Sequence, residues 1–191
     1  GPDLAAVSLP AWPPAPQGGA PAAASPAPGR EVLVTRSADL LRAIETAEPG
    51  DTITVMPGRY LFRGDSIPVQ RPGTSEAPIV LRGAVAGQVQ LEFQMTSGLD
   101  VQAPYWRFED LAIRGACTTH DECDNAFRIV GGAHHTVLRR LQLTDFNTHV
   151  KIIGARGQFP EAGQLLDSVL RNTRGRETAN AGETVDLVAA N

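Results

Sequence analysis

Lys151 is the sole lysine of the chain, and it lies between Val150 and Ile152 in an alternating stretch of the kind that marks a half-buried strand. Three other charged residues share that setting: Asp100 between Leu99 and Val101, Arg128 between Phe127 and Ile129, and Asp186 between Val185 and Leu187. Side chains alternate faces along a strand, so apolar pairs that point inward send these four outward. Stacked at the strand spacing of about 4.8 Å, they form one column: acid, base, base, acid. Two chemistries suit it. As a ladder of exposed ion pairs it adds little stability, and this is the commoner arrangement. As a carbohydrate-binding strip, Arg128 pairs with a sugar carboxylate, and Lys151 is the candidate base for the proton beside it. On that reading Lys151 and Arg128 are catalytic. Asp100, Asp186 and His149, at the start of the Lys151 strand, contact substrate.

The elements that position this column repeat. FEDLAIRG (Phe108 to Gly115) precedes FRIV (Phe127 to Val130), and LLDSVLRN (Leu165 to Asn172) precedes VDLV (Val185 to Val188). Between them TVLRRLQLTDFNTHVKIIG (Thr136 to Gly154) reads as two strands around a tight corner. A strand-corner-strand phrase recurring every ~20–35 residues signals a solenoid. The register places Arg171 where the earlier repeats have Ile113 and Leu143, and makes Asn172 an inward corner residue bonded to backbone. Upstream, EVLVT, DTITVM, Ser66 to Val69, Ile79 to Leu81 and Val89 to Phe93 are short strands parted by Gly and Pro corners. Aromatics are 5% of a chain that is 42% hydrophobic, a balance that suits stacked Val, Ile and Leu strands.

One helical pattern interrupts the strands. Ser37 reads as an N-cap, Asp39 sits in the first turn, Leu40, Leu41 and Ile44 form a stripe, and Pro49-Gly50 stops it. An open solenoid end exposes core, so Ser37 to Ala47 is expected to cap the first coil. The expected fold is all-β, a right-handed parallel β-helix over residues 31–191, preceded by a disordered Ala/Pro-rich linker over residues 1–30, from which Trp12 could dock on the domain. Asn191 follows a strand directly, so the expected solenoid is unfinished: a fragment, a cleaved product, or a protein completed by a second chain or copy. Leu187 would otherwise present an apolar cross-section there.

The 191-residue chain carries a net charge of −4, which argues against nucleic acid as its partner. No apolar run reaches the length of a membrane span, and no signal peptide is present. The opening Gly1-Pro2 reads as a tag-cleavage scar ahead of a mature exported chain. Cys117 and Cys123, in CTTHDEC, read as a disulfide of an oxidising compartment, hence periplasmic or secreted. A metal site built with His120, Asp121 or Glu122 would lack a second ligand pair. His134-His135 reads as a solvated corner without a carboxylate at metal-ligand spacing. Nucleophile-elbow, phosphate-loop, dinucleotide and EF-hand patterns are absent.

Ala43-Ile44, then PGDTITVMPGRY, GTSEAPIVLRG and YWRFEDLAIRG, in that order from about Val32 to Gly115, resemble the opening of the parallel β-helix lyases of polysaccharide lyase family 6, a group that includes chondroitinase B and alginate lyases. The resemblance implies a groove along the β-helix that takes an acidic polysaccharide. It implies β-elimination by a lysine and an arginine, with calcium as a cofactor in some members. The family's catalytic residues lie in later coils, so no role passes to a numbered residue by motif. The expected function is an exported polysaccharide-binding or polysaccharide-degrading protein. The alternative is a non-catalytic envelope or surface module that binds glycan or protein.

Overall fold

The computed structural model describes residues 29–119, 122–173 and 183–188, with Glu183 by its backbone alone. The proposed linker up to residue 28, His120, Asp121, the polar stretch 174–182 and the last three residues lie outside the described residues.

The chain forms a parallel β-helix. β1 (Glu31–Val34) leads through α1 (Ser37–Glu45) into the first coil. That coil is β2 (Thr52–Val55), β3 (Gly58–Gly64) and β4 (Ile67–Val69). The second is β5 (Ile79–Gly83), β6 (Val89–Met95) and β7 (Leu99–Val101). The third is β8 (Trp106–Glu109), β9 (Ala112–Gly115) and β10 (Phe127–Val130). The fourth is β11 (Val137–Arg139), β12 (Gln142–Thr144) and β13 (Thr148–Ile153). The fifth is β14 (Gln164–Leu166), β15 (Val169–Arg171) and β16 (Glu183–Val188). Corresponding strands stack into three sheets, β1-β2-β5-β8-β11-β14, β3-β6-β9-β12-β15 and β4-β7-β10-β13-β16.

Each coil thus has three strands, and the Thr136 to Gly154 phrase is three strands rather than two. The reason lies at Arg140. Leu141 and Leu143 keep the period of two, but Leu138 is three residues before Leu141. Arg140 takes φ 50° and turns the chain between them. Asp110 (φ 57°) and Asp167 (φ 49°) do the same in the neighbouring coils.

The core is a set of side-chain ladders, one per inward position. Ile53, Leu81, Phe108, Leu138 and Leu165 stack through the first sheet. Tyr60, Leu91, Ile113, Leu143 and Leu170 stack through the second. Leu170, not Arg171, therefore continues the Ile113 and Leu143 ladder. Arg171 follows Arg114 and Thr144 on the outer side, where its charge stays solvated. Trp106 stacks on Phe108 at 5.7 Å, and its Nε1 donates to the Arg71 carbonyl at 2.6 Å. Burying such rings contributes roughly 2–3 kcal/mol each.

α1 covers the first coil, with Leu40, Ala43 and Ile44 buried against β1 to β4. Ser37 is its first helical residue; the N-cap is Arg36, in extended conformation and without a side-chain cap bond. Arg36 Nε instead donates to Asp39 Oδ2 at 3.0 Å. Leu41 is 42% exposed and stands outside the buried stripe. Arg30 ties the entry to the coil, donating to Asp51 at 2.7 Å.

Corners are bonded coil to coil. Arg140 donates to both Asp110 carboxylate oxygens, at 2.6 and 2.8 Å. That hydrogen bond, and then the guanidinium charge, hold the Asp110 carboxyl below the usual range against the opposing cost of burial. Asn172 accepts from the Phe146 amide at 3.1 Å and donates to its carbonyl at 2.9 Å, the backbone-bonding corner expected. Cys117 and Cys123 form a disulfide in the connection from β9 to β10. Closing so short a loop adds about 2 kcal/mol in the chain-entropy account.

Two outcomes test this packing. A Cβ on Gly83 or Gly115 would overlap the carbonyl oxygen of Asp110 or Asp145 in the next coil. Gly83→Ala and Gly115→Ala should each lower unfolding stability by about 1–3 kcal/mol in urea. Gly163→Ala, whose nearest neighbour would be 3.7 Å away, should stay within about 0.5 kcal/mol. The second outcome concerns acid. Because the folded-state pKa of Asp110 is depressed, its contribution is complete above its ordinary value of about 4 and is lost as pH falls through the depressed value. Arg140→Ala should therefore be less stable than the native chain at pH 6, with the gap closing as pH drops below about 4. A gap independent of pH would show that the pair is not the source.

Candidate functional site

The outward face of β4-β7-β10-β13-β16 carries the charged column. Register alone places its members, since Pro68, Asp100, Arg128, Lys151 and Asp186 are direct neighbours on successive strands. The inward partners that fix this orientation are Leu99, Phe127 and Val150 on one side and Val101, Ile129 and Ile152 on the other.

Arg128 Nη1 donates to Asp100 Oδ1 at 3.1 Å. The second Asp100 oxygen accepts from Gln102 Nε2 at 3.0 Å, and Gln102 Oε1 accepts from Gln70 at 3.2 Å. Asp100 is thus held on both oxygens. Among the described residues, no carboxylate lies within ion-pair distance of Lys151. Its strand neighbours are Arg128 on one side and Asp186 on the other. The half-exposed Arg128–Asp100 pair contributes about 0.2–1 kcal/mol. Two residues along each strand runs an apolar rail of Val130, Ile153 and Val188, partly exposed. The face therefore pairs a charged strip with an apolar one.

His149 does not belong to that face. It is 1% exposed, its Nε2 lies 2.9 Å from the Arg171 carbonyl oxygen, and its ring packs edge-on to Phe146 at 6.1 Å. The bend entering β13 turns it into the coil interior, so its expected contact with substrate is corrected.

Calcium does not fit this face. Both Asp100 oxygens are already bonded, and Lys151 separates Asp100 from Asp186. Among the described residues no three His, Cys, Asp or Glu side chains converge as ligands.

Two clusters escaped the sequence reading. On the second sheet Glu92 accepts from Arg59, from Gln90 at 3.0 Å and from Arg114 at 3.5 Å. The Arg59 bond chiefly holds its carboxyl below the usual range. These residues meet only through cross-coil register, so no local motif announces them. The other cluster is a corner stack of Tyr105, His134 and His135, in which Tyr105 and His135 lie face to face at 4.7 Å. Here too the contact comes from cross-coil register, since Tyr105 and His135 stand one coil apart, ahead of β8 and β11.

No protein-family model matches the chain, and no curated protein matches it in sequence. Solved structures do match its fold. The PL6 family alginate lyase AlyGC superposes with a TM-score of 0.50 at 20% identity, over 63% of this chain and 17% of its own. A PL6 family polysaccharide lyase from Pseudopedobacter saltans gives 0.57 at 15% identity, over 83% of this chain and 41% of its own. A rhamnogalacturonan lyase gives 0.54 at 11% identity, over 85% and 63%. The chain spans less than two thirds of the length of each. At these identities the likeness is one of architecture: the chain is built on a parallel β-helix like that of PL6 and rhamnogalacturonan lyases.

Proposed function

We propose that this protein is an exported β-helix that binds a uronate-containing polysaccharide along the face of β4-β7-β10-β13-β16. The observation that carries the reading is the juxtaposition of Arg128 and Lys151 on adjacent strands, beside the apolar rail of Val130 and Ile153. Pyranose rings present apolar C–H faces and polar edges, and uronates add a carboxylate. A rail of each kind answers both, and two neighbouring cations favour an anionic chain. The disulfide supports an oxidising compartment, periplasmic or secreted.

The lyase-like reading goes one step further. In β-elimination a base takes the proton from the carbon bearing the carboxylate, a carbon–carbon double bond forms, and the glycosidic oxygen leaves. Lys151 would be that base, and Arg128 would neutralise the carboxylate so that the carbanionic charge is tolerated. Asp100 and Asp186 would bound the strip and contact sugar hydroxyls. The non-catalytic alternative draws support from one observation: Arg128 is already neutralised by Asp100.

Calorimetric titration with alginate, polygalacturonate and chondroitin sulfate oligomers at low salt tests both. Binding is expected to at least one of them. Lys151→Gln should weaken it about tenfold, and salt should weaken it further. Ultraviolet absorbance of the unsaturated product reports elimination: binding with product supports the lyase, and binding without product supports the non-catalytic module. If none of the three binds at low ionic strength, the proposal is wrong.

A further inference from the structure

The corner that follows β10 and β13 adjoins the charged face and holds a cleft of a different character. Gly131 directly follows Val130 of the apolar rail, and its amide donates to the Ile153 carbonyl at 2.9 Å. The connection from β13 to β14, residues 154–163, is longer than the equivalent connections of the two coils before it, residues 131–136 and 102–105. Insertions in repeat folds gather on one face, often the binding face. This one reverses tightly at Arg156 and Gly157, with φ 53° and 72°. Two central residues of positive φ mark the primed turn that closes a two-residue hairpin. The Ala155 amide donates to the Gln158 carbonyl at 2.8 Å, and the Gln158 amide donates back at 3.0 Å. The hairpin walls a cleft of about 460 Å³, lined by Gly132, His134, His135, Gln158, Phe159 and Glu161. A Cβ at Gly132 would lie 3.0 Å from Gln158 Oε1, so glycine keeps the floor open.

Phe159 is an exposed apolar ring among polar side chains. His134 and His135 are bonded to each other through their Nδ1 atoms, 2.8 Å apart. When both rings are neutral, one Nδ1 donates and the other accepts. One ring therefore keeps an Nε2–H donor and the other a bare Nε2 acceptor. The stack of His135 on Tyr105 at 4.7 Å holds the pair in place, as does the 2.9 Å bond from the His135 amide to the Glu161 carbonyl. Gln158 adds an amide that both donates and accepts, and Glu161 a carboxylate that only accepts. Donors and acceptors around one apolar ring suit a pyranose, whose hydroxyls do both and whose C–H face is apolar. With neutral histidines the formal charge of this lining is negative, from Glu161, so it suits an uncharged sugar better than a uronate.

We infer that this cleft is a subsite for an uncharged pyranose carried as a side branch of the glycan, an inference that rests on the polysaccharide reading of the charged face. Placement makes the sugar a branch. The charged column steps from coil to coil, from Asp100 to Asp186, whereas the cleft lies past the ends of β10 and β13, off that column. A chain laid along Arg128 and Lys151 leaves the cleft at its side. The substrate class is then a branched acidic heteropolysaccharide rather than a linear polyuronate.

Saturation-transfer difference NMR at pH 8 tests the subsite. The probes are the methyl pyranosides of glucose, galactose, mannose and xylose, with methyl glucuronide as the charged control. At least one neutral glycoside should bind, and the glucuronide should bind more weakly or not at all. Phe159→Ala should weaken neutral binding roughly two- to tenfold, the range of one aromatic face contact. Phe159 also lines the apolar interior of the last coils, so the exposed Gln158 supplies a second variant. Gln158→Ala should weaken neutral binding in the same direction. Glu161→Gln should improve glucuronide binding roughly fivefold, the effect of removing one like charge about 4 Å away in water. Lys151→Gln should leave neutral binding unchanged, and a linear uronate oligomer bound to the strip should not displace the neutral glycoside. The inference fails if no neutral glycoside binds, if Phe159→Ala and Gln158→Ala both bind as the native chain does, or if the uronate oligomer competes. Neutral binding without binding of any uronate oligomer would instead overturn the strip, and with it the branch, leaving an isolated neutral-sugar site.

Discussion

Parallel backbone ladders between successive coils hold this molecule in register, and among the described residues each coil packs on the coils before and after it, with α1 covering the first. A residue therefore meets the side chains one coil away at the same position, about 4.8 Å distant. The chemistry of the surface is set by columns rather than by runs of sequence. The same constraint governs burial. Leu138, with a coil on either side, is 2% exposed, while Leu165 in the fifth coil is 41% exposed. Ile129 and Leu187 share one ladder at 4% and 64%. Inward orientation is a property of the strand, but burial is conferred by the neighbouring coil.

Corners are where this regularity is costly. Among the described residues eight non-glycine residues have φ between 49° and 66°, a region that costs an ordinary L-residue about 1–2 kcal/mol. Asparagine and aspartate tolerate it best, and Asp110, Asp145 and Asp167 are among the eight. Arg140 and His135 are not of that kind, and each is held by contacts to an adjoining coil: Arg140 by the Asp110 carboxylate, His135 by the Tyr105 ring and the Glu161 carbonyl. Asp145, 3% exposed, anchors the Thr173 amide at 2.7 Å and its hydroxyl at 2.9 Å, so a strained corner also fastens the chain that follows β15.

Four of the five strands of the third sheet were legible because their alternation is clean and one charge stands between two apolar residues in each; the fifth, β4, has Pro68 at that position. Counting those charges gave the same column that the backbone pairing gives, from Asp100 to Asp186. The corners within each coil were not legible. A left-handed arginine at position 140 leaves no glycine or proline to mark it, and Leu138 and Leu141 merge into one apparent strand. That merging hid the third strand and shifted Arg171 by one place. His149 misled for a related reason: two residues before an outward lysine, strict alternation puts it on the outer face, but at the entry to the strand the alternation breaks and the side chain is buried. The helix cap failed on a smaller point, since serine favours the cap position in general but Arg36 could bond Asp39 while remaining extended.

Cross-coil clusters are harder still, because nothing adjacent in sequence announces them. Glu92 draws on Arg59, 33 residues before it, and on Arg114, 22 residues after it. Tyr105 and His135 are likewise one coil apart, yet their rings are in contact. Such groupings follow once the register is known, because every corner column is then specified by counting from the strands. The two outer features of this β-helix differ in what the register supplies. Along the third sheet it brings Arg128 and Lys151 together on an open face, where water and salt weaken each interaction. At the histidine corner it sets the Tyr105 and His135 rings face to face at 4.7 Å. One coil-to-coil step thereby produces both an open column of charges and a packed stack of rings.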